Sequence, residues 1–65
     1  MANNQKKSQQ METMSNLIVD MTLRGAMDSE IQRAINYSMA VIDGRNKSEQ
    51  DFGIPQLKAK YQGAF

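Results

Sequence analysis

Cysteine and histidine are both absent from the 65-residue chain. Without cysteine no disulfide can stabilise the fold, and without either residue the common zinc sites and the Ser-His-Asp and Cys-His catalytic arrangements cannot be built. The four glycines are scattered, so no phosphate-binding glycine loop is present. We therefore expect no catalytic residues, no metal site and no cofactor. The sequence favours a protein that acts by binding and is not an enzyme.

Long apolar runs are missing as well, and aromatic residues are few. No segment approaches the ~18 apolar residues of a membrane-spanning helix, and no hydrophobic stretch follows Lys6 and Lys7, so we expect neither a membrane partner nor a secretion signal. Together with the lack of cysteine, this favours the cytoplasm. Residues 1–10 contain almost nothing to bury, which predicts a disordered N-terminal tail and leaves residues 11–65 as a single helical domain.

Charge is segregated along the chain, although the formal total is only +1. Residues 1–10 carry +2, residues 11–43 carry −3 and residues 44–65 carry +2. A broad DNA-binding surface would need a basic stripe along one element, so nucleic acid is an unexpected partner. An acidic body with a basic tail is instead compatible with contacts between chains.

Apolar periodicity predicts an all-α fold, a helical hairpin followed by a short C-terminal helix. The first helix should begin near Ser8–Met11 and end at Arg24, because Gly25 suits the left-handed position after a helix. The second helix should end at Asp43, and its apolar stripe predicts the core-facing side. This stripe comprises Ile31, Ala34, Ile35, Met39 and Ile42.

Both ends of the second helix carry further signals. Met27 occupies its expected cap position but has no side-chain oxygen, so Asp28 or Ser29 is expected to cap the helix instead. The polar stretch 45–51 is either a loop or a frayed extension of the helix. Pro55 fits the first position of the third helix.

A domain of this size buries only about 60% of its unfolded surface, so we expect it to assemble as a small homo-oligomer, a dimer or a tetramer. Two apolar residues of the first helix, Val19 and Leu23, lie on the side opposite its core stripe. They are either an interface with another chain or two singly exposed residues of an ordinary surface. The candidate interface residues are Leu17, Val19, Leu23, Ala40 and Phe65.

Cationic and aromatic residues recur together at two places. Arg33 and Tyr37 are one helical turn apart, away from the predicted core stripe, and a second group lies near the C-terminus. Guanidinium and ammonium groups bind phosphates, and aromatic rings stack on nucleobases. The candidate ligand-binding residues are Arg33, Tyr37, Lys58, Lys60 and Tyr61. The alternatives are an ion pair between Arg33 and Glu30, packing of Tyr37 between helices, and ordinary solvation of the lysines.

One stretch begins Gly25-Ala and ends with Tyr-Ser-Met-x-Val-Ile-Asp at residues 37–43, and a second stretch reads Gly-Ile-x-x-Leu-Lys-x-Lys-Tyr-Gln-Gly at residues 53–63. Together they resemble a family of small segments encoded by tailed phages and conjugative elements. The resemblance covers roughly residues 20–63. The chain departs from that pattern at Met27, at Gly44 and in the short 45–51 loop.

A tiny helical chain of this kind, if phage-encoded and oligomeric, is similar to the phage anti-CBASS sponge proteins, which sequester cyclic dinucleotides without cleaving them. That resemblance implies an immune-evasion protein of the host bacterial cytoplasm that binds a cGAMP-like ligand. Two alternatives remain open. One is a small protein-binding inhibitor or assembly factor of a phage or mobile element, and the other is a DNA-binding accessory protein.

Overall fold

The computed structural model describes residues 2–45 and 48–65, with side chains from residue 5 onward. The described chain is helical throughout its regular elements. Helix α1 spans Ala2–Leu23, α2 spans Asp28–Ile42, and a 3₁₀ turn at Gln50–Phe52 leads into α3 at Ile54–Lys60. The predicted all-α hairpin with a short C-terminal helix is confirmed. In the part of the chain that the structure describes, no helix is at once long and apolar enough to cross a membrane.

Glycine terminates both long helices by the same backbone arrangement. Gly25 has φ +85° and follows α1, and the N–H of Ala26 donates to the carbonyl of Met21 at 3.0 Å. Gly44 has φ +71°, and the N–H of Arg45 donates to the carbonyl of Ala40 at 2.8 Å. These six-residue closures are Schellman motifs, which favour glycine because only glycine adopts positive φ without steric cost. The chain therefore turns back after α1 as predicted. Residues 46 and 47 of the predicted 45–51 loop lie outside the described residues.

The start of α1 differs from the prediction. The helix begins at Ala2, rather than near Ser8–Met11, so the described residues of the expected disordered tail continue the helix. Once the packed part of a helix has nucleated, each added residue gains one backbone hydrogen bond, and Ala, Gln and Lys resist helix formation little. The lack of hydrophobic residues before residue 11 therefore did not mark the N-terminal end of α1. Met1 lies outside the described residues.

Helix α2 is the central element, because it contacts α1, α3 and the 3₁₀ turn. The side of α2 that was expected to face away from the core is therefore covered as well: Ala40 is buried, and Tyr37 packs against the core. Of the predicted stripe, only Ala34 is fully buried. The buried cluster draws on all three helices and the residue after α3, and consists of Leu17, Met21, Ala34, Ile54, Leu57 and Tyr61.

Two of the five predicted interface residues, Leu17 and Ala40, are buried by the chain's own helices. They are corrected to intrachain packing positions, because Leu17 of α1 belongs to the buried core cluster and Ala40 lies on a covered side of α2. Val19, Leu23 and Phe65 remain exposed.

Burial of α3 predicts that Leu57 is needed for folding. Leu57 is 1% exposed, and Leu57→Ala should reduce the free energy of unfolding by about 2–5 kcal/mol, since it leaves a cavity in the core. Urea unfolding followed by circular dichroism measures this. Gln56→Ala, at the exposed neighbouring position, should change the stability by less than about 0.5 kcal/mol. Equal effects of the two substitutions would show that α3 is not packed as described.

Candidate functional site

The carboxylate of Glu30 joins α2 to the C-terminal segment. Glu30 is only 4% exposed, and its Oε1 accepts hydrogen bonds from the Tyr61 hydroxyl at 2.7 Å and from the backbone N–H of Met27 at 2.9 Å. Its Oε2 accepts from Lys60 Nζ at 2.8 Å. Met27 is the N-cap residue of α2, so the expectation that Asp28 or Ser29 caps the helix is wrong. Glu30, three residues further on, satisfies the cap N–H instead.

These hydrogen bonds determine the ionisation of the cluster. The Lys60 ammonium, the Tyr61 hydroxyl and the Met27 N–H together lower the pKa of Glu30 from 4.5 to about 2. The same carboxylate raises the pKa of Lys60 and the pKa of Tyr61. Glu30 is therefore a carboxylate throughout the physiological range, with three donors bonded to it.

This cluster includes two residues of the predicted ligand site, Lys60 and Tyr61. Tyr61 is buried and its hydroxyl is bonded, and the Lys60 ammonium is neutralised by Glu30. The Lys60 side chain is 55% exposed, so its ammonium remains accessible beside the buried carboxylate. We therefore assign Tyr61 to the scaffold and keep Lys60 as a candidate ligand-binding residue. The expected pairing of Arg33 with Glu30 is also corrected, because Lys60 occupies that carboxylate.

Arg33 lies against the backbone of Gly53. A methyl group at position 53 would lie 2.6 Å from Arg33 Nη1, so any larger residue there would force the guanidinium to move from this position. Gly53 also has φ +67°, and it ends the 3₁₀ turn and precedes α3. One residue therefore meets two demands: it permits the left-handed turn and it seats the Arg33 side chain.

Tyr37 lies one turn after Arg33 on α2, and its ring meets the Phe52 ring edge to face, with centroids 5.6 Å apart. The ring is half-buried and fixed by this contact. Lys58 borders the same region. Its Nζ is 2.7 Å from Glu49 Oε2, and this hydrogen bond, with a smaller contribution from the nearby Tyr37, raises the pKa of Lys58. We call Arg33, Tyr37, Phe52, Gly53 and Lys58 the Arg33 face.

The basic residues of the chain differ in how they are neutralised. Carboxylates 2.6–3.3 Å away pair with Arg24, Arg45, Lys58 and Lys60. Within the described residues from 11 onward, Arg33 is the basic residue that joins no ion pair or hydrogen bond. A half-buried guanidinium without a carboxylate partner has the chemistry to bind an anion.

A cleft of about 270 Å³ adjoins the Arg33 face, since Phe52 lines both. Its other lining residues are Asn36, Met39, Ala40 and Arg45. This volume is below the roughly 300–1,000 Å³ of typical small-molecule pockets. The cleft beside the Arg33 face is therefore too small to enclose a ligand of that size by itself. Among the described residues, no acidic cluster is suited to hold a metal ion.

Comparison with known proteins assigns neither a family nor a function to this chain. No protein-family model, no curated protein and no solved structure matches this sequence.

Three contributions to the Arg33 face were missed from the sequence. Phe52 was expected to pack the third helix onto the hairpin, Gly53 was expected in the turn before that helix, and Glu49 in the polar stretch 45–51, but none of them beside Arg33. Their positions depend on how the 3₁₀ turn folds back on α2.

The low pKa of Glu30 predicts an acid-dependent loss of stability. A carboxylate whose pKa falls on folding stabilises the native state fully above its unfolded pKa, and this contribution disappears as the pH falls from about 4.5 to about 2. Glu30→Gln should lower the urea midpoint at pH 7 and flatten its decline between pH 4.5 and pH 2. Glu12→Gln, at an exposed position on α1, should keep the wild-type profile. A Glu30→Gln profile as steep as the wild type would contradict the role of this carboxylate.

Proposed function

We propose that the protein is a non-enzymatic binding module that holds a phosphate-bearing nucleotide on the Arg33 face. The unpaired Arg33 guanidinium carries this proposal. The resemblance to the phage anti-CBASS sponge proteins directs it to a cyclic dinucleotide, which the protein sequesters without cleaving it. In that setting the module is a phage-encoded immune-evasion protein of the host bacterial cytoplasm.

The chemistry of the face fits such a ligand. The planar guanidinium of Arg33 donates two parallel hydrogen bonds to a phosphate, and Tyr37 supplies an adjacent ring for a base. Lys58 can turn to a second phosphate oxygen at little cost, because its pair with Glu49 is solvent-exposed. Recognition therefore relies on one pre-positioned cation, one fixed ring and one mobile cation.

A cyclic dinucleotide carries two phosphates and two bases, so it matches two such faces. Each chain supplies a single Arg33 and a single Tyr37 beside a small cleft. The ligand would then lie between two copies, with one ligand for two chains.

The second candidate function is a small protein-binding inhibitor or assembly factor. The outer side of α1 favours it, because Met11, Val19 and Leu23 are 50%, 57% and 82% exposed. This function requires a different protein as partner and no nucleotide.

Binding to the Arg33 face is tested by isothermal titration with cyclic dinucleotides, and with inorganic phosphate as the minimal probe. We expect one cyclic dinucleotide per two chains, recovered unchanged afterward. Arg33→Ala should weaken binding at least about tenfold, since a charged hydrogen-bond donor to the phosphate is lost. Lys6→Ala, which removes an exposed cation from α1, should not change it. Ligand turnover, or equal affinity of the Arg33→Ala variant, would refute the proposal.

Gly53 provides a second test with a matched control. Gly53→Ala and Gly44→Ala both place a side chain at positive φ, at about 1 kcal/mol each. Only Gly53→Ala also displaces the Arg33 guanidinium, because nothing lies within 4 Å of a methyl group at position 44. We expect similar losses of thermal stability for the two variants and weaker ligand binding for Gly53→Ala alone. Equal ligand affinities would show that the seat of Arg33 does not matter for binding.

A further inference from the structure

The cleft beside the Arg33 face has both an apolar and a polar lining. Ala40, which is 3% exposed, and the half-buried Met39 supply apolar surface, and Phe52 supplies an aromatic ring. Methionine sulfur also makes favourable contacts with aromatic rings. Asn36 and Arg45 supply polar groups, and both side chains are exposed. A group that matches this lining has apolar faces and a hydrogen-bonding edge, as a planar nitrogen heterocycle does.

The cleft is continuous with the position proposed for the phosphate. Arg33, Asn36 and Ala40 follow one another at intervals of three and four along α2, so they share one side of the helix. The 3₁₀ turn lies against this side, because Gly53 meets the Arg33 guanidinium and Phe52 lines the cleft. The Cβ atoms of residues three apart on a helix are only about 5–6 Å apart. A nucleotide with its phosphate on Arg33 therefore has its base, one sugar away, within reach of the cleft.

We propose that this cleft receives the edge of the nucleotide's base and that Asn36 selects adenine. The base lies against the adjoining Tyr37 and Phe52 rings and turns its polar edge toward the Asn36 amide. This assignment rests on the proposed function, since the phosphate on Arg33 is what brings the base to the cleft. It adds the identity of the base and the residue that recognises it.

The side-chain amide of Asn36 carries both the donor and the acceptor that adenine requires. Adenine presents the N7 acceptor beside the N6 amino donor, and an asparagine amide binds the two together. Guanine presents acceptors at both N7 and O6, so the amide oxygen would face another oxygen. Gln32 Nε2 donates to Asn36 Oδ1 at 2.9 Å, which holds the amide in place. A carbonyl oxygen accepts two hydrogen bonds, so the adenine amino group can still donate to it.

Other occupants match the cleft less well. A second phosphate would meet apolar surface, and the Asp43 carboxylate, 3.3 Å from the Arg45 guanidinium, would repel it. An apolar side chain from a partner protein would cover the Asn36 amide without offering it a hydrogen bond, which costs free energy. The volume of about 270 Å³ is just below that of typical small-molecule pockets, so it suits one ring system and not a whole dinucleotide.

The contribution of the base is measured by titrating the full chain with single nucleotides and following NMR chemical shifts. A single nucleotide needs only one chain, so the result does not depend on assembly. Adenosine 5′-monophosphate should bind at least about fivefold more tightly than ribose 5-phosphate, because its base stacks on the rings. Guanosine 5′-monophosphate should bind at least about fivefold more weakly than the adenine nucleotide, because it mismatches the amide.

Asn36→Ala should abolish the preference for adenine over guanine and leave the affinity for ribose 5-phosphate unchanged. Alanine is a good helix former, so the variant should keep α2 intact, which its NMR spectrum establishes. Asn16→Ala removes the same amide from an exposed position on α1 and should keep the wild-type preference.

An altered ligand tests the same hydrogen bond from the other side. In 7-deazaadenosine 5′-monophosphate a C–H group replaces N7. The wild type should bind it about fivefold more weakly than adenosine 5′-monophosphate, because one hydrogen bond is lost. The Asn36→Ala variant should bind the two ligands equally.

The assignment of Asn36 is overturned by equal or tighter binding of the guanine nucleotide, or by an adenine preference that persists in Asn36→Ala. In either case, binding of ribose 5-phosphate that is lost in Arg33→Ala would leave the proposed function standing. Absence of binding by all the nucleotides, by ribose 5-phosphate and by inorganic phosphate would overturn both.

Discussion

The buried carboxylate of Glu30 is the constraint on which the arrangement of this small fold depends. Helix α3 has seven residues, too few for an isolated helix to be stable in water. Ile54, Leu57 and Tyr61 give it apolar burial, and Glu30 fixes its far end through Lys60 and Tyr61. Since α3 follows directly on Gly53, the contact that fixes α3 also helps to fix the seat of Arg33. A structural ion cluster and a candidate binding face are therefore linked through one short helix.

Local sequence signals predicted the helices well. The features that these signals did not predict depend on tertiary contacts. Gly25 and Pro55 marked a helix end and a helix start because their backbone preferences act within a few residues. The partners of Glu30 lie about thirty positions away, and no local pattern distinguishes a lysine bound to a buried carboxylate from a solvated one. The start of α1 was missed for the opposite reason. Its first turns bury little, yet they extend a helix that is already nucleated.

The candidate site was half predictable for the same reason. Arg33 and Tyr37 were found from their spacing on one helix, which is a local property. Lys60 and Tyr61 are also a basic residue beside a tyrosine, but folding places both of them against Glu30. Counting charges identifies possible anion sites, whereas only the pairing in three dimensions shows which cation remains unneutralised. Among the described residues from 11 onward, Arg33 is the basic residue without a carboxylate partner.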